Sequence, residues 1–142
     1  MALQNSSSPT GQRQPTVLYA EDNEINVLLV RQILELRPAW RLEVANCGAH
    51  ALQMIPLVKP DLLLLDMHLG DMSGLELLDL LDQDEFAKGL VKVALSADAM
   101  PDRIEQAKAR GFSAYLTKPL DVMALLQCLD GYLSTNGPET SQ

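Results

Sequence analysis

Leu62-Leu63-Leu64-Leu65-Asp66 decides the fold: four apolar residues in succession, then a carboxylate, with Pro60 before them and Gly70 after. An unbroken apolar run of this length fits a strand covered on both faces, as in a parallel sheet. Leucine alone would permit a helix equally well. Pro60 and Gly70 leave too little room for one.

Working outward, short apolar runs alternate with helical patterns. Upstream, Val17-Leu18-Tyr19-Ala20 reads as a first strand. Ile25, Leu29, Ile33 and Leu36 then recur at helical spacing until Pro38. Arg41 to Ala45 alternates apolar and polar residues, a second strand. Ala51, Leu52 and Ile55 mark a short helix closed by Pro60. Downstream, Ser73 to Asp82 reads as a third helix with Leu75, Leu78 and Leu81 on one side, and Val91 to Leu95 as a fourth strand. Pro101 suits the first turn of a fourth helix ending near Gly111. Ala114-Tyr115-Leu116 is a fifth strand, and Val122, Leu125, Leu126, Leu129 and Leu133 form the stripe of a last helix. Five β-α units in series imply an α/β fold, a doubly wound parallel sheet with five helices. The expected strand order is the flavodoxin-like 2-1-3-4-5. The fourth helix offers little apolar surface beyond Ile104 and Ala107. It is either loosely packed or an element that moves.

The domain is expected to span residues 16–133. Residues 1–15 and 134–142 are polar and contain Pro, Gly and Ser, and they read as a flexible linker and a flexible tail. The chain of 142 residues is 47% hydrophobic and 21% charged, enough apolar material for one packed core. Eleven Lys and Arg stand against nineteen Asp and Glu, a net charge of -8. That balance argues against a nucleic-acid surface and against a polybasic membrane patch. Two cysteines, Cys47 and Cys128, without a C-x-x-C and with few His, make a zinc site improbable. Reduced thiols in a cytoplasmic compartment are the simplest reading. No apolar run approaches the roughly 20 residues that span a bilayer.

Ligands of open parallel sheets bind beyond the carboxyl ends of the strands. Those ends carry Glu21-Asp22, Asp66, Ser96 and Thr117-Lys118-Pro119. Two carboxylates about 4 Å apart repel by roughly 4 kcal/mol at an effective dielectric near 20. Lys118 offsets part of that, and a hard divalent cation in an all-oxygen, partly hydrated site offsets the rest; Mg²⁺ suits it best. With cation and ammonium in place, one of the carboxylates could attack a phosphoryl group. Such transfer needs chiefly positioning and charge neutralisation, for which Mg²⁺, Lys118 and the Ser96 hydroxyl are available.

The residues that carry this chemistry also carry a resemblance. Val17 to Asn23, Leu63 to Gly74, Ala94 to Ala97 and Tyr115 to Pro119, in that order and at element ends, resemble a response-regulator receiver domain over nearly all of 16–133. The resemblance implies that Asp66 is the phosphoacceptor. It implies that Asp22 binds Mg²⁺ directly, Glu21 through a metal-bound water, and His68 through its backbone carbonyl. Ser96 would hydrogen-bond the phosphoryl group, and Lys118 would pair with one of its oxygens across a Lys118-Pro119 bond that is often cis. Tyr115 matches an aromatic switch position. The fourth helix, fifth strand and fifth helix would form the output face. A receiver of this kind catalyses its own phosphorylation and its slow dephosphorylation.

The implied partners are a histidine kinase or a histidine phosphotransfer domain, docking near Ile25, Val27 and Leu28. Glu21 to Asn26 and Ser96 to Met100 are similar to receivers of hybrid sensor histidine kinases, and a stand-alone regulator fits the length equally well. Three departures stand out: Gly70 for the usual Pro, which should leave its loop freer, Ser73 for a frequent Asp, and Glu21 for a frequent Asp. Competing classes fare worse. A Mg²⁺-dependent aspartyl phosphatase needs an acid where His68 stands. A flavodoxin-like cofactor binder needs Ser, Thr or Gly where Glu21-Asp22 would repel phosphate. An adaptor that never takes phosphate would not need the full set of site residues.

Overall fold

The computed structural model describes residues 14–133. Most of the linker and tail expected at the two ends lies outside the described residues. Five strands, β1 (Thr16–Ala20), β2 (Arg41–Ala45), β3 (Leu62–Asp66), β4 (Val91–Ser96) and β5 (Ala114–Thr117), form one sheet. Every pairing is parallel, and the order is β2-β1-β3-β4-β5. The helices are α1 (Glu24–Leu34), α2 (Gly48–Val58), α3 (Gly74–Asp82), α4 (Pro101–Arg110) and α5 (Val122–Leu133). A 3-10 turn at Glu85–Ala87, not anticipated from the sequence, leads into β4.

Strand periodicity sorts the core into two layers. Leu18, Ala20, Leu63, Leu65 and Ala94 face one way, onto residues of α2, α3 and α4. Val17, Tyr19, Leu62, Leu64, Val93 and Leu95 face the other, onto α1 and α5. All five residues of β3 are buried, as its leucine run predicts.

Helix faces were less legible. On α1 the buried residues are Val30, Ile33 and Leu34, whereas Ile25 is 77%, Leu29 40% and Leu36 57% exposed. The expected Ile25-Leu29-Ile33-Leu36 stripe is therefore rotated on the sheet. Val27-Leu28-Leu29-Val30 is apolar all round, so periodicity could not choose a face. The helix also ends at Leu34, before Pro38. α2 starts at Gly48, earlier than its first expected residue, because Cys47 caps it, and it accommodates Pro56 near its end. α3 starts one residue later than expected: Ser73 lies outside it and caps it through a reciprocal pair with Glu76. On α4 only Ala107 is buried, in keeping with its sparse apolar surface. Arg110 reaches Asp79 and Asp82 of α3 instead.

Candidate functional site

Register builds the site. Ala20 pairs with Leu65, so Glu21 emerges beside Asp66 at the switch point where the chain passes from β1 to both neighbours. Asp66 pairs with Leu95 and Ser96 with Thr117, which brings the ends of β4 and β5 to the same rim. Carboxylate oxygens of Glu21, Asp22 and Asp66 lie within 4.8 Å of one another. Glu21 and Asp66 are buried, and Asp22 is exposed. Lys118 Nζ is 2.9 Å from Asp66 Oδ2 and 3.5 Å from Glu21 Oε1. The Lys118-Pro119 peptide is cis.

The electrostatics divide the two buried acids. Burial pushes Asp66 upward, but the Glu21 contact, the His68 N–H and the Lys118 ammonium outweigh it and hold Asp66 below the usual carboxylate range. Burial, and next the neighbouring Asp66, hold Glu21 above its ordinary value. Burial would lower Lys118, yet Asp66 and Glu21 together raise it, so it stays charged. Asp66 is thus held in the ionised form with a cation beside it. Oδ1 accepts from the His68 N–H at 2.9 Å.

The donor set fits a hard cation. Three carboxylates converge with no thiolate or imidazole nitrogen among them, and exposed Asp22 leaves one side open to water. Gly70 contributes to the fit. Its φ is +83°, and a Cβ there would lie 3.1 Å from Asp22 Oδ2. Proline could adopt no such φ.

The loop after Asp66 was expected to be freer without that proline. In the structure it is tied at several points. Leu69 N–H donates to the Met72 carbonyl, and Gly74 N–H to the Met67 carbonyl. Asp71 Oδ1 and Oδ2 accept from Gly48 N–H at 2.9 Å and Ala49 N–H at 3.0 Å, capping α2 from a distant segment. These amides hold Asp71 below the ordinary aspartate value. Asp71→Ala is expected to cost about 1 kcal/mol, as loss of a helix cap does, and to speed exchange of the Gly48 and Ala49 amides. The folded pKa is depressed, so this difference from wild type is fully present above the unfolded value, near 3.9. It disappears as pH falls through the folded one. Urea titrations and amide exchange check this; unchanged exchange contradicts it.

Ser96 ends β4, and Tyr115 lies on neighbouring β5. Both are tied to Asp98: Ser96 Oγ accepts from Asp98 N–H at 3.0 Å, and Tyr115 O–H donates to the Asp98 carbonyl at 2.7 Å. Ser96, Tyr115, His68 and Met67 line a cavity of about 140 Å³ between the loop after β3, α4 and β5. His68 itself is exposed. Three contributors escaped sequence reasoning: Tyr19, Asp71 and Asp98. For Tyr19 a signal existed. In a strand, residues two apart share a face, and Tyr19 precedes Glu21 by two.

Comparison with known proteins agrees with this geometry. Residues 17–130 match the family model of the response regulator receiver domain. Among curated proteins, the polar-differentiation response regulator DivK of Brucella anthropi is 32% identical over 118 residues, covering 83% of this chain and 95% of DivK. Among solved structures, the receiver domain of Saccharomyces cerevisiae Ssk1, in complex with the histidine phosphotransfer protein Ypd1, superposes with a TM-score of 0.76 at 25% identity. The match covers 84% of this chain and 89% of the other. The receiver domain of Pseudomonas aeruginosa sensor histidine kinase PA1611, solved with magnesium in its active-site cleft, shares the fold with a TM-score of 0.76 at 22% identity. It covers 87% of this chain and all of its own.

Proposed function

The chain belongs to the response regulator receiver domain family, and from that premise we propose that Asp66 takes a phosphoryl group from a phosphohistidine, with Mg²⁺ held at Asp22, Asp66 and the His68 carbonyl and, through water, at Glu21. The observation that carries this is the convergence of Glu21, Asp22 and Asp66 within 4.8 Å, with Lys118 on Asp66.

Each side chain then has a task. An Asp66 oxygen attacks phosphorus; the P–N bond to the donor imidazole breaks, its electron pair returns to the ring, and an acyl phosphate forms on Asp66. Bound Mg²⁺ supplies charge neutralisation on the phosphoryl oxygens. Lys118 keeps its charge and turns from the carboxylate to a phosphoryl oxygen. Ser96 exchanges its Asp98 N–H contact for another, drawing the β4–α4 loop inward. Tyr115, bonded to the same Asp98, follows into the adjoining cavity, and lightly packed α4 shifts with it. Hydrolysis by the same site returns Asp66 to the carboxylate.

The donor is a histidine kinase or a histidine phosphotransfer domain. The exposed Ile25 and Leu28 of α1, beside the rim, offer it an apolar footing. Free Cys47 and Cys128 suit a reducing, cytoplasmic setting. Among the described residues no helix is long and apolar enough to cross a membrane. The motifs at Glu21–Asn26 and Ser96–Met100 favour attachment to a hybrid sensor kinase. A second reading, a stand-alone regulator, is favoured by the DivK match, which covers 95% of that protein.

The test uses phosphoramidate, which carries the P–N bond of phosphohistidine. The protein is expected to gain one phosphoryl group with Mg²⁺ and none with EDTA. Equal labelling in both would overturn the proposal.

A further inference from the structure

We infer that Tyr19 is a positioning residue of the metal site: its buried hydroxyl holds the Glu21 carboxylate in the orientation that serves Mg²⁺. This rests on the magnesium reading above and adds a residue to it.

Tyr19 lies on β1 in the layer that faces α1 and α5, among Val30, Ile33, Leu125 and Leu126. It is 0% exposed. The apolar side chains it packs among there offer the hydroxyl no partner, so the packing of the ring gives no reason for one. A hydroxyl buried there requires a partner. It finds one at the rim: Tyr19 O–H donates to Glu21 Oε1 at 2.8 Å. Lys118 Nζ approaches the same oxygen at 3.5 Å, and Asn23 N–H donates to Oε2 at 3.3 Å. Donors from β1, from the loop after it and from the turn after β5 therefore fix one carboxylate.

The length of the side chain at position 21 gives this arrangement its sense. Glutamate has one more methylene than aspartate and one more torsion to order. Glu21 is buried, so its oxygens cannot be steadied by bulk water. The Tyr19 hydroxyl, two residues back near the end of β1, reaches the longer side chain, whereas an aspartate at 21 would fall short of it. Partners of this kind, outside the ligands themselves, commonly change metal affinity by 10- to 100-fold. The two positions should therefore act as a unit.

The experiment is a Mg²⁺ titration of the phosphate-free protein followed by ¹⁵N amide shifts, with melting temperature measured in EDTA. Four proteins are compared: wild type, Tyr19→Phe, Glu21→Asp and the double variant. Tyr19→Phe should weaken Mg²⁺ about 10-fold. In the Glu21→Asp background the same change should leave the affinity within twofold, because the hydrogen bond is already absent there. A Tyr19→Phe protein that melts lower yet binds Mg²⁺ like wild type would make the hydroxyl purely structural and overturn the inference. So would an equal loss in both backgrounds, or tighter binding. A wild type that takes no Mg²⁺ would instead overturn the metal reading itself, and the inference with it. Should Tyr19→Phe fail to fold, the comparison of wild type with Glu21→Asp still decides: Glu21→Asp must alter affinity, and an unchanged value overturns the coupling.

Discussion

Asp66→Ala protein, given Mg²⁺ and phosphoramidate or acetyl phosphate, is expected to lose at least about a thousandfold in labelling rate, a barrier increase of roughly 4 kcal/mol. The geometry leaves no substitute nucleophile. Glu21 is 1% exposed, and its oxygens are engaged by Tyr19, Asn23 and Lys118. Asp22 is exposed, and the Lys118 ammonium sits on Asp66 and Glu21 instead. Of the three rim carboxylates, Asp66 alone combines a depressed pKa with a cation at 2.9 Å. The fold should survive the change. The variant removes one member of a crowded acidic pair, and Lys118 retains Glu21 as a partner. Retained labelling, in a variant with native amide dispersion and sensitive to hydroxylamine as an acyl phosphate is, would assign the acceptor to another residue.

Lys118→Met separates two roles that the structure superimposes. Lys118 is the one cation on both buried acids among the described residues. If it serves the phosphoryl group, its loss removes a charge placed where negative charge accumulates during transfer. Losing one such donor costs about 10²- to 10³-fold in rate. Mg²⁺ affinity should hold or rise, because the carboxylates keep their charge and lose a competing cation. If Lys118 were only a scaffold, metal binding and labelling would fall together. Parallel Mg²⁺ titration and phosphoramidate labelling distinguish the outcomes.

The fold was legible where a local rule had one answer. Leu62 to Leu65 between Pro60 and Gly70 admitted only a buried strand, and five alternating units then fixed the sheet and its order. The rim residues followed because strand ends in such a sheet point to one edge. Legibility failed where packing chose among equals. α1 carries apolar side chains around its circumference, so the buried Val30-Ile33-Leu34 face depends on how α1 seats against α5, which no spacing reports. Asp71 looked like an ordinary loop acid, and its partners, Gly48 and Ala49, lie on another helix. Asp98 stood within a recognised motif, but its bond to Tyr115 exists only once β4 and β5 are paired. Gly48 and Gly74 show the same limit. A Cβ at Gly48 would lie 2.5 Å from the Met72 sulfur, and one at Gly74 would collide with that of Met67. Neither close approach is visible without the loop that makes it.

A crystal structure of the protein grown with MgCl₂ tests the central claim most directly. One ion is predicted at the rim, about 2.0–2.1 Å from oxygens of Asp22, Asp66 and the His68 backbone, with a coordinated water bridging to Glu21. A metal bound elsewhere, or Asp22 and Asp66 turned away from a shared ion at saturating magnesium, would contradict it.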